Sequence, residues 1–165
     1  MAHRSVVDTF TEMGFPARRA WLEGAVLYGA ARTYGFLLRK LSKIYDRFGL
    51  SASSFNLLML LRHGQDPRSF TQQEIGRRLV VTPSDMTGLV DRLEKKGLVK
   101  RQPGLDRRSK LLRITEEGAQ LVDRVWPEHA QAVRRVTDVL DKREAELLVG
   151  AFSKLRKNLE GGCNE

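Results

Sequence analysis

Lysine and arginine side chains are concentrated between residues 71 and 115, where their charge can neutralise a polyanion. This stretch holds 11 of the 29 Lys and Arg but only five of the 20 Asp and Glu, so it carries +6 of the net charge of +9. Such a cluster favours phosphate-bearing partners, because each cation that neutralises a phosphate releases a condensed counterion. Anionic membranes would attract it too, but the densest apolar run, residues 57–61, is far shorter than the roughly 20 residues of a bilayer span. The composition predicts a nucleic-acid partner and no membrane.

A run of short polar residues begins at Thr82, which precedes a proline as an N-cap precedes the first helical position. Base edges in the DNA major groove present patterned donors and acceptors, so a reading helix needs short polar groups near its N-terminus. Ser84 and Thr87 can donate and accept, and Gly88 would let the backbone approach closely. The residues predicted to contact DNA from this helix are Thr82, Pro83, Ser84, Asp85, Thr87, Gly88 and Arg92.

Two of these residues have alternative roles. Asp85 can accept from cytosine N4, but its side chain can equally serve the N-terminal amides of its own helix, and we favour this local role. Arg92, one turn further on, can reach guanine or a phosphate.

An arginine-rich hairpin follows this helix. Two strand-like pieces, residues 98–101 and 110–114, flank the segment PGLDRRS, whose Pro and Gly mark a turn. A cationic tip suits a narrow minor groove, where negative potential is concentrated. We predict DNA contacts from the hairpin residues Arg101, Arg107, Arg108 and Lys110, phosphate contacts from the preceding Arg77 and Arg78, and a positioning role for Asp106. A solvated basic hairpin without a partner is the alternative interpretation.

The elements that must position these residues follow the order of a winged helix-turn-helix. Thr71 and Glu74 form a capping box at the start of one short helix, with Phe70 and Ile75 in the positions of a hydrophobic staple. In the next helix one stripe, Met86, Leu89, Val90 and Leu93, is spaced for packing inward. Residues 51–115 are therefore predicted to be a DNA-binding lobe.

Long helices are predicted on both sides of this lobe. Apolar positions in residues 17–48 recur at spacings of three and four, and a helix of this length, roughly 48 Å, needs a partner surface. Thr115 can cap a helix running to about residue 140, with a kink at Pro127, and Asp141 opens the last helix. Residues 1–16 are expected to be an extension of uncertain order and residues 161–165 a tail.

The wing segment LDRRSKLLRITEEG resembles the Asp-x-Arg wing of the MarR (multiple antibiotic resistance regulator) family of bacterial transcription factors, and GLVDRLEKKGLVKR resembles the end of that family's recognition helix. The similarity covers about residues 30–160. It implies that Asp106 and Arg108 are the wing pair, with Arg108 entering the minor groove and Arg107 lying between them in the sequence.

The resemblance also implies an overall organisation. The fold would be mainly α-helical with a small β-hairpin wing, a single domain over residues 17–160 in which residues 17–48 and 116–160 are dimerisation helices. Such a homodimer reads a pseudo-palindromic double-stranded DNA operator, commonly as a repressor that a small aromatic or phenolic effector releases. Tyr34, Met59 and Arg92 could line an effector cleft, but ordinary core or DNA contact is the simpler interpretation, and no effector site is assigned.

Other functional classes have little support in the sequence. There is no phosphate loop, dinucleotide glycine pattern or His-Glu-x-x-His motif, so neither an enzyme nor a cofactor is expected. The widely separated His3, His63 and His129 do not suggest a metal site, and Cys163 is interpreted as an incidental thiol. A constitutive architectural or protein-interaction module on the same fold remains open. Without a signal-peptide-like segment, the expected location is the cytoplasm.

Overall fold

A computed structural model describes residues 2–64, 70–79, 82–104 and 110–161. The chain divides into two compact units, Met1–Trp126 and Pro127–Glu165. The elements in chain order are α1 (Ala2–Glu12), α2 (Leu22–Arg47), α3 (Ala52–His63), β1 (Phe70–Thr71), α4 (Gln72–Leu79), α5 (Pro83–Lys95), β2 (Val99–Pro103), β3 (Lys110–Ile114), α6 (Glu116–Thr137) and α7 (Lys142–Gly161). This mainly helical chain with one small sheet confirms the predicted fold class.

The three strands form one antiparallel sheet in the order β1-β3-β2. Val99 in β2 pairs with Ile114 in β3, and Phe70 in β1 pairs with Leu112 on the other side of β3. The hairpin matches the prediction, although β2 starts one residue later and ends two residues later than expected. The sequence does not predict β1, because a strand of two residues is too short to show an alternating pattern.

The core of the first unit includes the inward-facing side of α5. The stripe predicted to pack inward is buried throughout, as are Ile75 in α4 and Leu112 in the middle strand. Tyr45 of α2 stacks on Phe55 of α3 with ring centroids 4.7 Å apart. The helix α5 is thus packed on a continuous apolar base, which fixes its direction in the fold.

The helix starts predicted at Thr115 and Asp141 are confirmed, and Ser51 caps α3 in the same way. The Ser54 amide donates to Ser51 Oγ over 3.1 Å at the start of α3. The Gly118 amide donates to Thr115 Oγ1 over 3.1 Å at the start of α6. At α7 the Glu144 amide donates to Asp141 Oδ1 over 2.8 Å. Each cap satisfies an amide that has no partner inside its own helix.

The N-terminal segment is better ordered than the sequence suggests. It contains the helix α1, whose Phe10 is 1% exposed and packs against Trp21 and Tyr28, with ring centroids 4.8 and 5.9 Å away. Burying an aromatic side chain contributes about 1.5–3 kcal/mol, so Phe10 holds α1 on α2. Its partners are Tyr28 in the next helix and Trp21 directly before that helix, which is why local periodicity does not reveal the segment.

The long helix was predicted to start at residue 17, and this is wrong. Residues Ala17–Arg19 form a single 3-10 turn, and α2 begins at Leu22 after an extended Trp21. The Trp21 ring folds over Gly24, where an added Cβ would lie 2.5 Å from it. Trp21 is therefore the N-cap residue of α2, and its ring packs back over the first turn of that helix.

The helix after the wing also ends earlier than predicted. It runs from Glu116 to Thr137 rather than to about residue 140, and Pro127 lies inside it. In the second unit none of the residues Lys142–Gly161, all of which the structure describes, is buried.

Candidate nucleic-acid interface

The start of α5 is fixed by Thr82. Its Oγ1 accepts the Asp85 amide over 3.2 Å and donates to Asp85 Oδ2 over 2.6 Å, while Pro83 occupies the first helical position. Asp85 is therefore engaged with the cap of its own helix, which supports the local role preferred from the sequence.

The outer face of α5 presents the polar groups predicted to read DNA. Ser84, Thr87 and Arg92 are exposed and Gly88 is half-buried. Thr87 Oγ1 donates to the Pro83 carbonyl over 3.1 Å, which leaves its lone pairs available to a donor. An added Cβ at Gly88 would lie 3.5 Å from the Arg92 guanidinium, so Arg92 folds back along the helix toward its N-terminal half. These side chains form an exposed surface that can donate and accept hydrogen bonds.

The preceding helix α4 begins with the predicted capping box. The Thr71 amide donates to Glu74 Oε2 over 2.7 Å, and the Glu74 amide donates to Thr71 Oγ1 over 3.2 Å. The hydrogen bond from the Thr71 backbone, with one from its hydroxyl, lowers the pKa of Glu74. Phe70 and Ile75, the predicted staple, are both buried. The cap fixes the direction of α4.

Arg77 and Arg78 in the last turn of α4 are both exposed. The Arg78 guanidinium lies over the Phe70 ring, 4.5 Å from its centroid. Among the residues that the structure describes, no carboxylate forms an ion pair with Arg77, Arg78 or Arg92. Their charge is therefore available to phosphates.

Arg101 differs from these exposed cations. From β2 it donates through Nη2 to Asp91 Oδ1 over 2.6 Å, through Nη1 to Glu94, and through Nε to Gln72 Oε1 over 3.1 Å, while its amide donates to Glu94 Oε1 over 3.1 Å. Only 18% of its side chain is exposed. Burial lowers the pKa of Arg101, but the hydrogen bonds and charges of Asp91 and Glu94 outweigh this and raise it overall.

Arg101 was predicted to contact DNA, and the structure instead engages its donors within the protein. We call Arg101 with Asp91, Glu94 and Gln72 the Arg101 brace. It joins the wing, the recognition helix and α4. Two of the five acidic residues in a basic stretch, three positions apart on one helix, are the signal that could have indicated an internal partner for an arginine.

The wing is also tied to the helices at its base. Thr115 Oγ1 donates to the Gly97 carbonyl over 2.6 Å, and the Thr115 amide donates to the Leu98 carbonyl over 3.1 Å. Gly97 has a φ of +70°, the left-handed conformation that lets the chain leave α5 sharply. An added Cβ at Gly118 would lie 2.2 Å from the Leu98 carbonyl oxygen, so only glycine permits this approach.

The tip of the wing lies outside the described residues, and with it Asp106, Arg107 and Arg108. Lys110, at the start of β3, is exposed beside this tip. Lys96 Nζ, at the end of α5, donates to the Gly49 carbonyl between α2 and α3. The described part of the interface therefore consists of α4, α5 and the two wing strands.

A cavity of about 750 Å³ between α4 and α5 is lined by Gln72, Gln73, Gly76, Arg77, Thr82, Pro83 and Met86. Tyr34 is exposed on α2 and Met59 half-buried on α3, and neither is among the described residues lining this cavity. Within the described ranges no group of three His, Cys, Asp or Glu side chains is placed to hold a metal ion, and no helix is long and apolar enough to cross a membrane.

Comparison with known proteins identifies a matching family and similar transcriptional regulators. Residues 48–109 match the MarR family. The chain is 32% identical over 122 residues to the HTH-type transcriptional regulator PecS of Dickeya dadantii, covering 73% of this chain and 74% of PecS.

Solved structures agree with this relationship. AbsC, a MarR family transcriptional regulator from Streptomyces coelicolor, aligns with a TM-score of 0.77 and 25% identity over 86% of this chain and 98% of AbsC. CouR from Rhodococcus jostii RHA1, solved bound to p-coumaroyl-CoA, aligns with a TM-score of 0.71 and 27% identity over 79% of this chain and 90% of CouR.

Proposed function

Because the chain belongs to the MarR family of DNA-binding transcriptional regulators, we propose that it is a homodimeric repressor that reads a pseudo-palindromic operator. In this proposal α5 enters the major groove, the wing enters the minor groove, and a small aromatic or phenolic ligand releases the DNA. Such a protein works where the chromosome is, in the cytoplasm, and it uses no catalytic chemistry.

The observation that carries the proposal is the construction of α5. One side is buried without interruption, the N-terminus is capped by Thr82, and the other side exposes Ser84, Thr87 and Arg92. A helix that enters the major groove needs this combination of a fixed base and short polar groups near its start. Arg77 and Arg78 are placed one element earlier, where they suit phosphates beside the groove.

The proposed minor-groove contact is supported by charge and by family resemblance. Lys110 is exposed at the start of β3, and Arg107 and Arg108 come between β2 and β3 in the sequence. The negative potential of a narrow minor groove attracts such cations. We assign Arg108 to the groove and Asp106 to holding the Arg108 side chain in position.

Exposed apolar side chains support the homodimer. In α7, Leu147, Leu148 and Phe152 are 64%, 42% and 39% exposed. In α2, Leu27 and Phe36 are 59% and 53% exposed. Monomeric proteins rarely expose large contiguous apolar surfaces, and a second copy with two-fold symmetry would cover the same residues on both chains. A two-fold dimer should read half-sites whose centres are about 10 bp apart.

The proposed release of DNA by a ligand is based on a protein of similar structure, CouR. CouR was solved with p-coumaroyl-CoA, a ligand that contains a phenolic ring. A similar response here would require a site for a ring compound that differs in affinity between the DNA-bound and free forms.

Selection of bound fragments from a genomic DNA pool tests the proposed function. We expect the recovered fragments to share a pseudo-palindrome with half-site centres about 10 bp apart, close to the start of a gene. Fragments that share no sequence would contradict sequence-specific reading and would favour a constitutive architectural protein.

A further inference from the structure

Lys96 connects the end of helix α5 to the end of the long helix α2. Its Nζ donates a hydrogen bond to the carbonyl of Gly49, 47 residues earlier in the chain. Both residues lie in the first compact unit. Gly49 follows the last turn of α2, and Lys96 is the C-cap of α5, so one side chain joins the two helices at their C-terminal ends.

The end of α2 has a well-defined geometry. The Gly49 amide donates to the Asp46 carbonyl and the Leu50 amide donates to the Tyr45 carbonyl, each over 3.0 Å. Gly49 has a φ of +65°, the left-handed conformation of this type of helix end. Leu50 and Tyr45 are both buried, which holds the motif on the core. The Gly49 carbonyl lies beyond α2, where the pattern of hydrogen bonds within the helix supplies no donor.

Helix α5 ends in the same motif. The Gly97 amide donates to the Glu94 carbonyl and the Leu98 amide donates to the Leu93 carbonyl, each over 2.9 Å. Gly97 is again in the left-handed conformation, and both leucines are buried. Lys96 directly precedes this glycine, so its backbone is fixed in the motif. Its side chain thus joins two helix ends that are each closed by backbone hydrogen bonds.

The charge of Lys96 suits this position. The carbonyl groups at a helix C-terminus carry a partial negative charge equivalent to about half an elementary charge. Two such ends repel each other, whereas an ammonium group placed at both is attracted to each of them. An uncharged donor would supply the hydrogen bond without this attraction. Lys96 therefore stabilises the arrangement of α2 and α5 that its hydrogen bond defines.

We propose that Lys96 is a positioning residue that sets the direction of α5 relative to α2, and thereby the separation of the two α5 helices in the homodimer; the second part rests on the proposed function. Because α2 carries part of the apolar surface assigned to the dimer, an α5 that is fixed to α2 is also fixed relative to the second copy.

The length of α5 makes this direction important for reading DNA. The 13 residues of α5 span about 20 Å. A tilt of about 10° around the C-terminal end would move the N-terminal end by about 3 Å, close to the roughly 3.4 Å between base pairs. Ser84 and Thr87, two of the residues predicted to contact base edges, lie in the half of the helix that would move most.

The neighbouring residue provides a matched control. Lys95 is exposed in the last turn of the same helix, and no residue in the described part of the chain forms a hydrogen bond or ion pair with its side chain. Lys95→Met and Lys96→Met remove the same charge and leave side chains of the same kind. Lys96→Arg keeps a charged donor, so it should behave as wild type.

The first measurement uses the full chain without DNA. Spin labels attached after Lys43→Cys and Ser84→Cys, in a background with Cys163→Ser, report the distance between α2 and the start of α5 by pulsed electron paramagnetic resonance. Labelled chains are diluted into unlabelled protein so that only distances within one chain are seen. Lys96→Met should broaden or shift the distance distribution by about 2 Å or more, whereas Lys95→Met should not.

The second measurement tests the consequence for DNA. Fluorescence anisotropy compares a selected operator with operators that have one base pair inserted or removed between the half-sites. Wild type and Lys95→Met should bind the altered operators at least about tenfold more weakly than the selected one. Lys96→Met should lose most of this preference, and Lys96→Arg should restore it. A loss of stability alone would lower the affinity for all three operators equally, so the spacing preference reports on positioning.

The possible results separate the proposal from its alternatives. Unchanged distances in Lys96→Met would refute the positioning role, and Lys96→Gln replaces this variant if circular dichroism shows that it is unfolded. Changed distances with an unchanged spacing preference would refute the part played in the dimer. A salt dependence of log affinity that is shallower by about 0.9, with the spacing preference intact, would indicate a phosphate contact instead. A wild-type protein that binds no DNA would refute only the proposed function, since the distances between labels still test the connection of α2 to α5.

Discussion

Arg101 on the first wing strand and Asp91 on the recognition helix form an ion pair, with 2.6 Å between Nη2 and Oδ1. Glu94 and Gln72 complete the Arg101 brace. The brace masks two carboxylates that would otherwise repel phosphates, and it fixes the wing relative to α5. We therefore propose that Arg101 positions the wing for DNA binding rather than contacting DNA itself.

Replacing Arg101 with Ala should weaken operator binding by about tenfold or more, because Asp91 and Glu94 are then unmasked close to DNA. Arg101→Lys should lose most of this affinity as well, since an ammonium cannot reproduce the guanidinium fork. Lys100→Ala is the control, because it removes one charge from an exposed neighbouring position. Fluorescence anisotropy with a labelled operator measures the DNA affinity of all three variants. Wild-type affinity of Arg101→Lys would indicate a simple phosphate contact instead.

Replacing Arg108 with Ala should lower operator affinity by an order of magnitude or more if this residue enters the minor groove. The oligomeric state should stay the same, because the substituted residue lies in the wing and not in the proposed dimerisation helices. Size-exclusion chromatography with light scattering measures it. Lys142→Ala, an exposed cation in α7, serves as the charge control. Undiminished DNA binding of Arg108→Ala would refute the assignment of the wing.

Gly118→Ala should destabilise the protein by about 1–3 kcal/mol, because its Cβ would meet the Leu98 carbonyl oxygen at 2.2 Å. Gly150→Ala is the matched control, since an added Cβ there has no neighbour within 4 Å among the described residues. The control should be neutral or stabilising by up to about 1 kcal/mol. Thermal unfolding at equal protein concentration compares the two, and equal midpoints would show that the contact at Leu98 relaxes without cost.

Introducing charge on the exposed apolar face of α7 should disrupt the proposed homodimer. Leu148 and Phe152 are one turn apart, and changing both to Glu places charge in the proposed interface. Lys154→Glu changes an exposed polar position on the same helix as a control. Light scattering should report a monomer or aggregates for the double variant and a dimer for the control. A well-behaved dimer in both would exclude this face from the interface.

The local features of this fold could be predicted from the sequence. Thr71 with Glu74 and Thr82 with Pro83 are signals contained within four residues, and the structure places a helix start at each. The buried stripe of α5 follows from its spacing alone. The polar residues opposite this stripe were therefore also placed on the outer face correctly.

Features that depend on distant partners could not be predicted. Arg101 meets acids seven and ten residues away only after the chain has turned into the wing, so the sequence showed only another exposed cation. Phe10 is buried by Trp21 and Tyr28, whose spacing in the sequence fits a single helix over residues 17–48. The roles of Asp106 and Arg108 remain predictions.

Chemical footprinting of a selected operator tests the central claim most directly, because it identifies the groove that each part of the protein occupies. With the wild-type protein we expect protection of guanine N7 in two major-groove segments about 10 bp apart, and protection of adenine N3 in the adjacent minor groove. Arg108→Ala should lose the minor-groove protection alone. Protection confined to the DNA backbone, with neither groove covered, would contradict reading of DNA by α5 and the wing.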